Sequence, residues 1–490
     1  MKSAKLRIGW AQTSITPEVP LLMEGQMYMR ASEWIHDPIT ATALVLDNGE
    51  DQAVMVSLDI TEPPVFVMPG LLKMLEENGI PSEKVSLNSI HSHNASAFYC
   101  DFMREDNKKV YKEEILPPFE APEGMLEGEK AKEYLAERLC DLVVRAWEDR
   151  EEGGVSFAHE YAAIGFNRRP QFMMEDGHLE SVMYGDASEP NFIRFEGCID
   201  TTVEIMYTWN TRQEITGIVC SVPCPSQVYE LHRFISADFW APARSQIRSK
   251  LGRNVFVLPI CSAAGDMAPV DLVEISKYNK EALLGWGGQT KEVFRNFDMT
   301  ELCQSIGSRI TEAVARGYET AKNYIDYTPV LRHRVMKLEL PIRQVSEEDY
   351  KEAEAEVEAI NAKYSKENPM TMADLVKAFE PQGVVLRYRQ QKESANFECV
   401  SHIIRVGTLA IATNPFELFV EFGQRIKARA KARQVMLCQL SNGLGGYLPT
   451  HAAVDGGSYS SKPASTMVGP ESGDVLVEET LKVIAELWEE

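Results

Sequence analysis

The chain of 490 residues is 44% hydrophobic and 25% charged, a composition that supports a large core and excludes wholesale disorder. A formal charge of −23 supplies no Lys/Arg-rich face for neutralising phosphates, so nucleic acid is not an expected partner. No apolar stretch approaches membrane-spanning length, and the first residues pass into a strand-like segment without the apolar run of a secretory signal, so a soluble, cytoplasmic protein is expected.

Residues 1 to 100 alternate strand signals with turns. Strands are predicted over Leu6 to Trp10, Ala41 to Leu46 ahead of Asp47-Asn-Gly49, and Ala53 to Asp59, followed by an amphipathic helix over Met68 to Glu77 and a strand over Val85 to Ile90. Residues 105 to 129 are rich in charge and proline and read as an exposed excursion, and Ala131 to Asp149 has helical periodicity. Strands resume near Val155, with Ala162 to Phe166 running into Asn167-Arg-Arg-Pro170, then Val203 to Asn210, and Glu214 to Val222 ending at Pro223-Cys-Pro-Ser-Gln227. Asn254 to Ile260 is a short apolar strand that delivers Cys261-Ser-Ala-Ala-Gly-Asp-Met-Ala-Pro269. Gly285-Trp-Gly-Gly288 reads equally as a surface turn or a lid, and Thr300 to Asn323 as an amphipathic helix.

Residues 346 to 394 open with Glu, Ala and Lys at helical spacing and read as a helical insertion in one α/β catalytic domain spanning 1 to 490. Beyond it come a buried strand over Ile403 to Thr413, a helix over Glu417 to Arg433, a strand over Val435 to Ser441 and a closing helix over Asp474 to Glu489. Nine cysteines, without CxxC pairs, read as mostly reduced, buried small hydrophobes.

Apolar strands repeatedly end at loops that carry the unusual polar residues: His91, Cys224, Asp266, Glu417 and Tyr447. In α/β proteins such strand ends aim side chains from distant parts of the chain into one crevice. The stretch Asn88-Ser-Ile-His-Ser-His-Asn-Ala-Ser96 is the most informative, since it holds two of only nine histidines on alternate positions. Continued strand alternation would point His91 and His93 to the same face, where two imidazoles can divide the work of metal ligand and proton donor.

Taken together, these motifs resemble the neutral (non-lysosomal) ceramidase family of zinc-dependent amidases, over nearly the full chain. Leu22-Met-Glu-Gly25 is similar to that family's glycine turn, Ser57-Leu-Asp-Ile60 to its third-strand motif, and His91-Ser-His93 to the HTH of its THTHSGP. Asn167-Arg168-Arg-Pro170 corresponds to NRSP, Gly265-Asp266 to the start of GDVSP, Pro415-Phe-Glu417 to PGE, and Tyr447 and Tyr459 to its paired tyrosines. The resemblance implies a mixed-sheet α/β fold and a small-molecule amide or ester substrate, cleaved by metal-activated water at zinc held by His91, Glu417 and Tyr447. His93, Arg168 and Tyr459 would face a developing oxyanion, Asp266 would orient a histidine or a loop amide, and Gly25 and Ala268 would line the substrate.

Three departures qualify that expectation. Pro223-Cys224-Pro225 stands where the family has the IHP motif of its second histidine ligand, so Cys224 is expected to bind the metal, with His232 as the alternative. Ala268 replaces the serine of GDVSP, the family's assigned nucleophile. Attack would then fall to a metal-activated water or to another side chain such as Cys224, or the protein would bind a ligand without turnover. The family's secretion signal and C-terminal immunoglobulin-like domain are not visible, which makes a membrane sphingolipid a doubtful substrate, and a homo-oligomer is compatible with the sequence.

Overall fold

A computed structural model describes residues 5–96, 98–99, 102–278 and 299–489. Its main sheet has eight strands in the order Phe256–Cys261, Ile215–Val222, Thr202–Asn210, Glu151–Tyr161, Arg7–Ser14, Thr40–Asp47, Gln52–Leu58, Val85–Ser89. The middle of the sheet is antiparallel and each end is closed by a parallel pair: Ile215–Val222 with Phe256–Cys261, and Gln52–Leu58 with Val85–Ser89. A second sheet runs Leu331–Pro341, Asn396–Val406, Leu409–Thr413, Gln434–Cys438, and its last two strands are again parallel.

The alternation of side chains along each strand sorts these sheets into layers. Leu44, Leu46, Met55, Met206 and Leu258 of the main sheet pack against Ile404, Leu409, Ile411 and Met436 of the second. On the opposite face, Ala43, Val45, Val54 and Val56 take the apolar stripes of the helices Met68–Glu77 and Gly128–Glu148. Ile205, Tyr207 and Ile218 take those of Trp240–Leu251 and Thr300–Ala321. The outer face of the second sheet packs under Val420–Arg429 and Pro470–Leu487, giving a helix–sheet–sheet–helix stack. Each fully buried Leu, Ile or Val in these seams contributes about 1.5–3 kcal/mol of hydrophobic stabilisation before the entropy of ordering it is counted.

The mixed α/β organisation agrees with expectation, and the differences are local. The apolar run Ile403 to Thr413 is two antiparallel strands joined at Gly407, whose φ of 57° makes the turn that a continuous apolar run conceals. Ala162 to Phe166 is mostly loop, because Glu151–Tyr161 already supplies the sheet and Phe166–Asn167 pairs instead with Met267–Ala268. The excursion at 105 to 129 contains the helix Phe102–Val110. The segment 346 to 394 holds a pair of helices, Glu347–Lys363 and Met372–Glu393, with side-chain caps from Ser346 and Thr371. Its Val357, Leu375 and Ala378 pack on Tyr111 and Ile115, and the Tyr111 hydroxyl donates to the Ala378 carbonyl at 2.7 Å. The Gly285 to Gly288 segment lies outside the described residues. Among those described, no helix is long and apolar enough to cross a membrane.

Candidate active site and metal centre

The parallel strand pairs position the site. Leu58 is in register with Ser89, Val222 with Cys261 and Thr413 with Cys438, so the chain leaves neighbouring carboxyl ends together. The loops that follow carry Glu62, His91, His93, Gln227, Asp266, Glu417 and Tyr447, as expected at the carboxyl edge of parallel strands.

The two histidines do come together, but not by strand alternation. The strand ends at Ser89, and His91 takes a left-handed backbone with φ of 64°, a conformation that costs a residue with a side chain about 1–3 kcal/mol. The turn is held by the Ser92 hydroxyl donating to the Ser236 carbonyl at 2.7 Å and the Ser92 amide to the Ile60 carbonyl at 3.1 Å. The imidazoles meet edge to face with their Nε2 atoms 3.3 Å apart.

His91 is buried, and its Nδ1 donates to the Thr61 carbonyl at 2.9 Å, which fixes the ring and aims Nε2 at a Glu417 carboxylate oxygen 3.2 Å away. Glu417 and Tyr447 are register partners in a short parallel pair, locked by the Glu417 amide donating to the Gly446 carbonyl at 2.9 Å. Gly265 lies under this pair, where a Cβ would come within 2.3 Å of the Glu417 carbonyl oxygen. Among the described residues, Glu62, His91 and Glu417 form the cluster whose ligand atoms all lie within 4.8 Å of one another.

Charge is concentrated here. Burial opposes protonation of His91, but Glu417 first and Glu62 after it outweigh that and lift its pKa to about 9. Burial pushes Glu417 upward, yet His91, Arg168 and the hydrogen bond from Tyr447 hold it below the ordinary carboxylate value. Glu62 moves the other way: burial raises it, His91 pulls it back, and Glu417 adds to the rise. His93 is held neutral by burial and by the His91 and Arg30 charges. Its Nε2 accepts from the Gln227 side-chain amide at 2.8 Å, and its Nδ1 lies 3.2 Å from a Glu230 carboxylate oxygen.

Arg168 donates to the Tyr447 phenol and the Gly265 carbonyl, both at 3.0 Å, and Tyr447, Tyr184 and Glu417 keep it charged despite burial. The Tyr459 ring meets Tyr447 at 5.5 Å between centroids and Phe379 of the insertion at 6.0 Å. Of the two orienting roles open to Asp266, the structure shows the loop amide. One carboxylate oxygen accepts from the Val420 amide at 2.9 Å, bracing the turn after Glu417, and the other accepts from the Asn167 side chain at 2.9 Å. Gly25 packs on His93, where a Cβ would lie 2.4 Å from the ring. Ala268 is fully buried in the short strand paired with Phe166 and carries no hydroxyl.

The structure does not bring the expected thiolate ligand into this cluster. Cys224 belongs to the apolar cluster with Ile164, Val222 and Phe239, its sulfur lies 3.7 Å from the Ile164 carbonyl, and it is not in the ligand cluster. His232 is not in that cluster either, because its ring stacks on Phe234 at 4.8 Å. Sequence reasoning missed Glu62, Gln227 and Glu230. The signal for Glu62 was its place just after the strand that neighbours the His91 strand; Gln227 and Glu230 had no comparable one.

No family model matches the sequence, and no curated protein matches it. Solved structures do match. A neutral ceramidase from Pseudomonas aeruginosa superposes with a TM-score of 0.67 at 17% identity, covering 100% of this chain and 75% of that one. A ceramidase complexed with C2 gives a TM-score of 0.67 at 16% identity, covering 99% of this chain and 76% of that one. Over nearly its whole length the chain therefore has the fold of the neutral ceramidases, as the order of its motifs implied.

Proposed function

We propose that this protein is a metal-dependent hydrolase that cleaves an amide or ester bond of a small, soluble substrate. The observation that carries the proposal is the meeting of His91 Nε2 with the Glu417 carboxylate at 3.2 Å, with Tyr447 in register beside Glu417. The donor set fits a divalent ion, zinc by resemblance: an imidazole oriented by a backbone carbonyl, one buried and one half-buried carboxylate, and a phenol. Such an ion would polarise the scissile carbonyl and acidify the attacking water.

The remaining groups bind and orient. Arg168 presents a buried guanidinium beside Tyr447, suited to a carbonyl oxygen gaining negative charge, and one donor of this kind contributes about 3 kcal/mol. Tyr459 lies next to it. His93 is kept neutral, its Nε2 accepts from the Gln227 side-chain amide and its Nδ1 lies 3.2 Å from a Glu230 carboxylate oxygen, so a role in moving a proton requires Gln227 to give way to substrate. Asp266 holds the Glu417 loop rather than touching substrate.

Cys224 lies outside the cluster of Glu62, His91 and Glu417, so the second reading, a cysteine nucleophile, draws no support from that cluster. A ligand-binding role without turnover is favoured by one observation, Ala268 at the serine position. Hydrolysis of a broad amide and ester panel by the wild type, lost in His91→Ala, is the expected result. A protein that holds metal and binds panel members without cleaving any would establish the binding role instead.

A further inference from the structure

Resting on that reading of the site, we propose that Glu62 takes the ligand position that the sequence motif assigns to Cys224. The centre is then one nitrogen and three oxygens, His91 with Glu62, Glu417 and Tyr447, a donor set for a hard or borderline divalent cation rather than a thiophilic one.

Three independent features converge on Glu62. The first is delivery. Glu62 follows Thr61, whose carbonyl accepts from His91 Nδ1 at 2.9 Å, so a single turn both orients the imidazole and brings a carboxylate to it. The second is proximity. A Glu62 oxygen is 3.9 Å from His91 Nδ1, the nitrogen that donates to Thr61, and one ligand atom from each of Glu62, His91 and Glu417 fits within 4.8 Å of the others.

The third is charge. Glu62 and Glu417 share one enclosed space, with side chains only 22% and 10% exposed and a single imidazole between them. Two carboxyl groups this close cannot both stay ionised at low cost in a poorly solvated pocket, and a divalent cation between them compensates both. Cys224 lies elsewhere: its sulfur contacts the Ile164 and Pro225 carbonyls at 3.7 and 3.5 Å, and it is not among the clustered ligand atoms.

Replacing thiolate by carboxylate also alters selectivity. Thiolate donors favour Zn²⁺ and softer ions, whereas oxygen donors with one imidazole accept Mn²⁺ as well. Chelator-stripped full-length protein should therefore bind both Zn²⁺ and Mn²⁺, and Cd²⁺ should not outcompete Zn²⁺ as it does at cysteine sites.

The test is calorimetric titration of Zn²⁺ and Mn²⁺ into stripped wild type, Glu62→Gln, Cys224→Ser and His91→Ala, with thermal melts of each in apo and metal-loaded form. Glu62→Gln should weaken both ions at least about ten-fold and abolish the metal-induced rise in Tm. Its apo form should melt no lower than wild type, because glutamine keeps the size and hydrogen-bonding capacity of the carboxyl group, and this separates ligand loss from misfolding. Cys224→Ser should stay within about two-fold of wild type. Metal lost in Cys224→Ser but kept in Glu62→Gln would overturn Glu62 as ligand and leave the hydrolase reading standing. No metal binding by the wild type would overturn both.

Discussion

Gly25 and His93 are in direct contact: the glycine, at φ of 95°, lies flat against the imidazole, and a Cβ there would come within 2.4 Å of the ring. The motif that resembles a substrate-lining turn is therefore also the wall that fixes His93 relative to His91. Gly25→Ala must strain its own backbone and displace the ring. A shift of this size at an aligned group costs about 10²-fold in kcat. Metal content, measured by elemental analysis, should stay within error of wild type, because His91 and Glu417 are untouched.

Arg168→Lys tests the oxyanion role. Lysine keeps the charge but not the planar guanidinium, one terminal nitrogen of which donates to both the Tyr447 phenol and the Gly265 carbonyl. The expected loss is about 10²–10³-fold in kcat, with a smaller change in KM, measured by steady-state kinetics on the best substrate of the panel.

Stability away from the site should depend on Asp59 and Arg244. The Asp59 carboxylate, fully buried, receives both Arg244 terminal nitrogens at 2.6 and 2.7 Å and the Thr40 amide at 2.8 Å. Arg244→Ala leaves that carboxylate uncompensated and should cost about 3–5 kcal/mol in urea unfolding.

A buried histidine pair sets an acid limit. His333 Nε2 and His402 Nδ1 are 2.8 Å apart, and the other His333 nitrogen donates to the Gln52 carbonyl at 3.0 Å. Burial lowers His333 to about 4, with Lys84 adding to the effect, and lowers His402 to about 3, with His333 and Lys84 adding. Both values lie below the ordinary histidine value, so the unfolded chain binds protons first. Their contribution to stability is complete above about pH 6.5 and is lost as pH falls toward 4 and then 3. Urea midpoints measured between pH 7 and 4 should fall in wild type and fall less in His402→Gln.

Much of the architecture was legible because the responsible signals are local. Met68 to Glu77 is helical over the predicted span, since its apolar residues recur at helical spacing. The strand-end loops that hold His91, Glu417 and Tyr447 could be picked out because apolar runs stop abruptly before them. Ligand direction was not legible. Cys224 occupies a ligand's place in the motif, but the packing of Ile164, Val222 and Phe239 turns its sulfur into the core. Glu62 is one of 73 acidic residues, and only the parallel pairing of Gln52–Leu58 with Val85–Ser89 marks it out. The Glu- and Lys-rich composition of 346 to 394 announced helices, but not that Phe379 would reach Tyr459.

The central claim is that His91 and Glu417 hold an ion on which turnover depends. Elemental analysis of wild type and His91→Ala, purified without added metal and assayed on the same hydrolysable substrate, tests it most directly. About one divalent ion per wild-type chain is expected, and neither ion nor turnover in the variant. Undiminished turnover by a metal-free His91→Ala protein would contradict it.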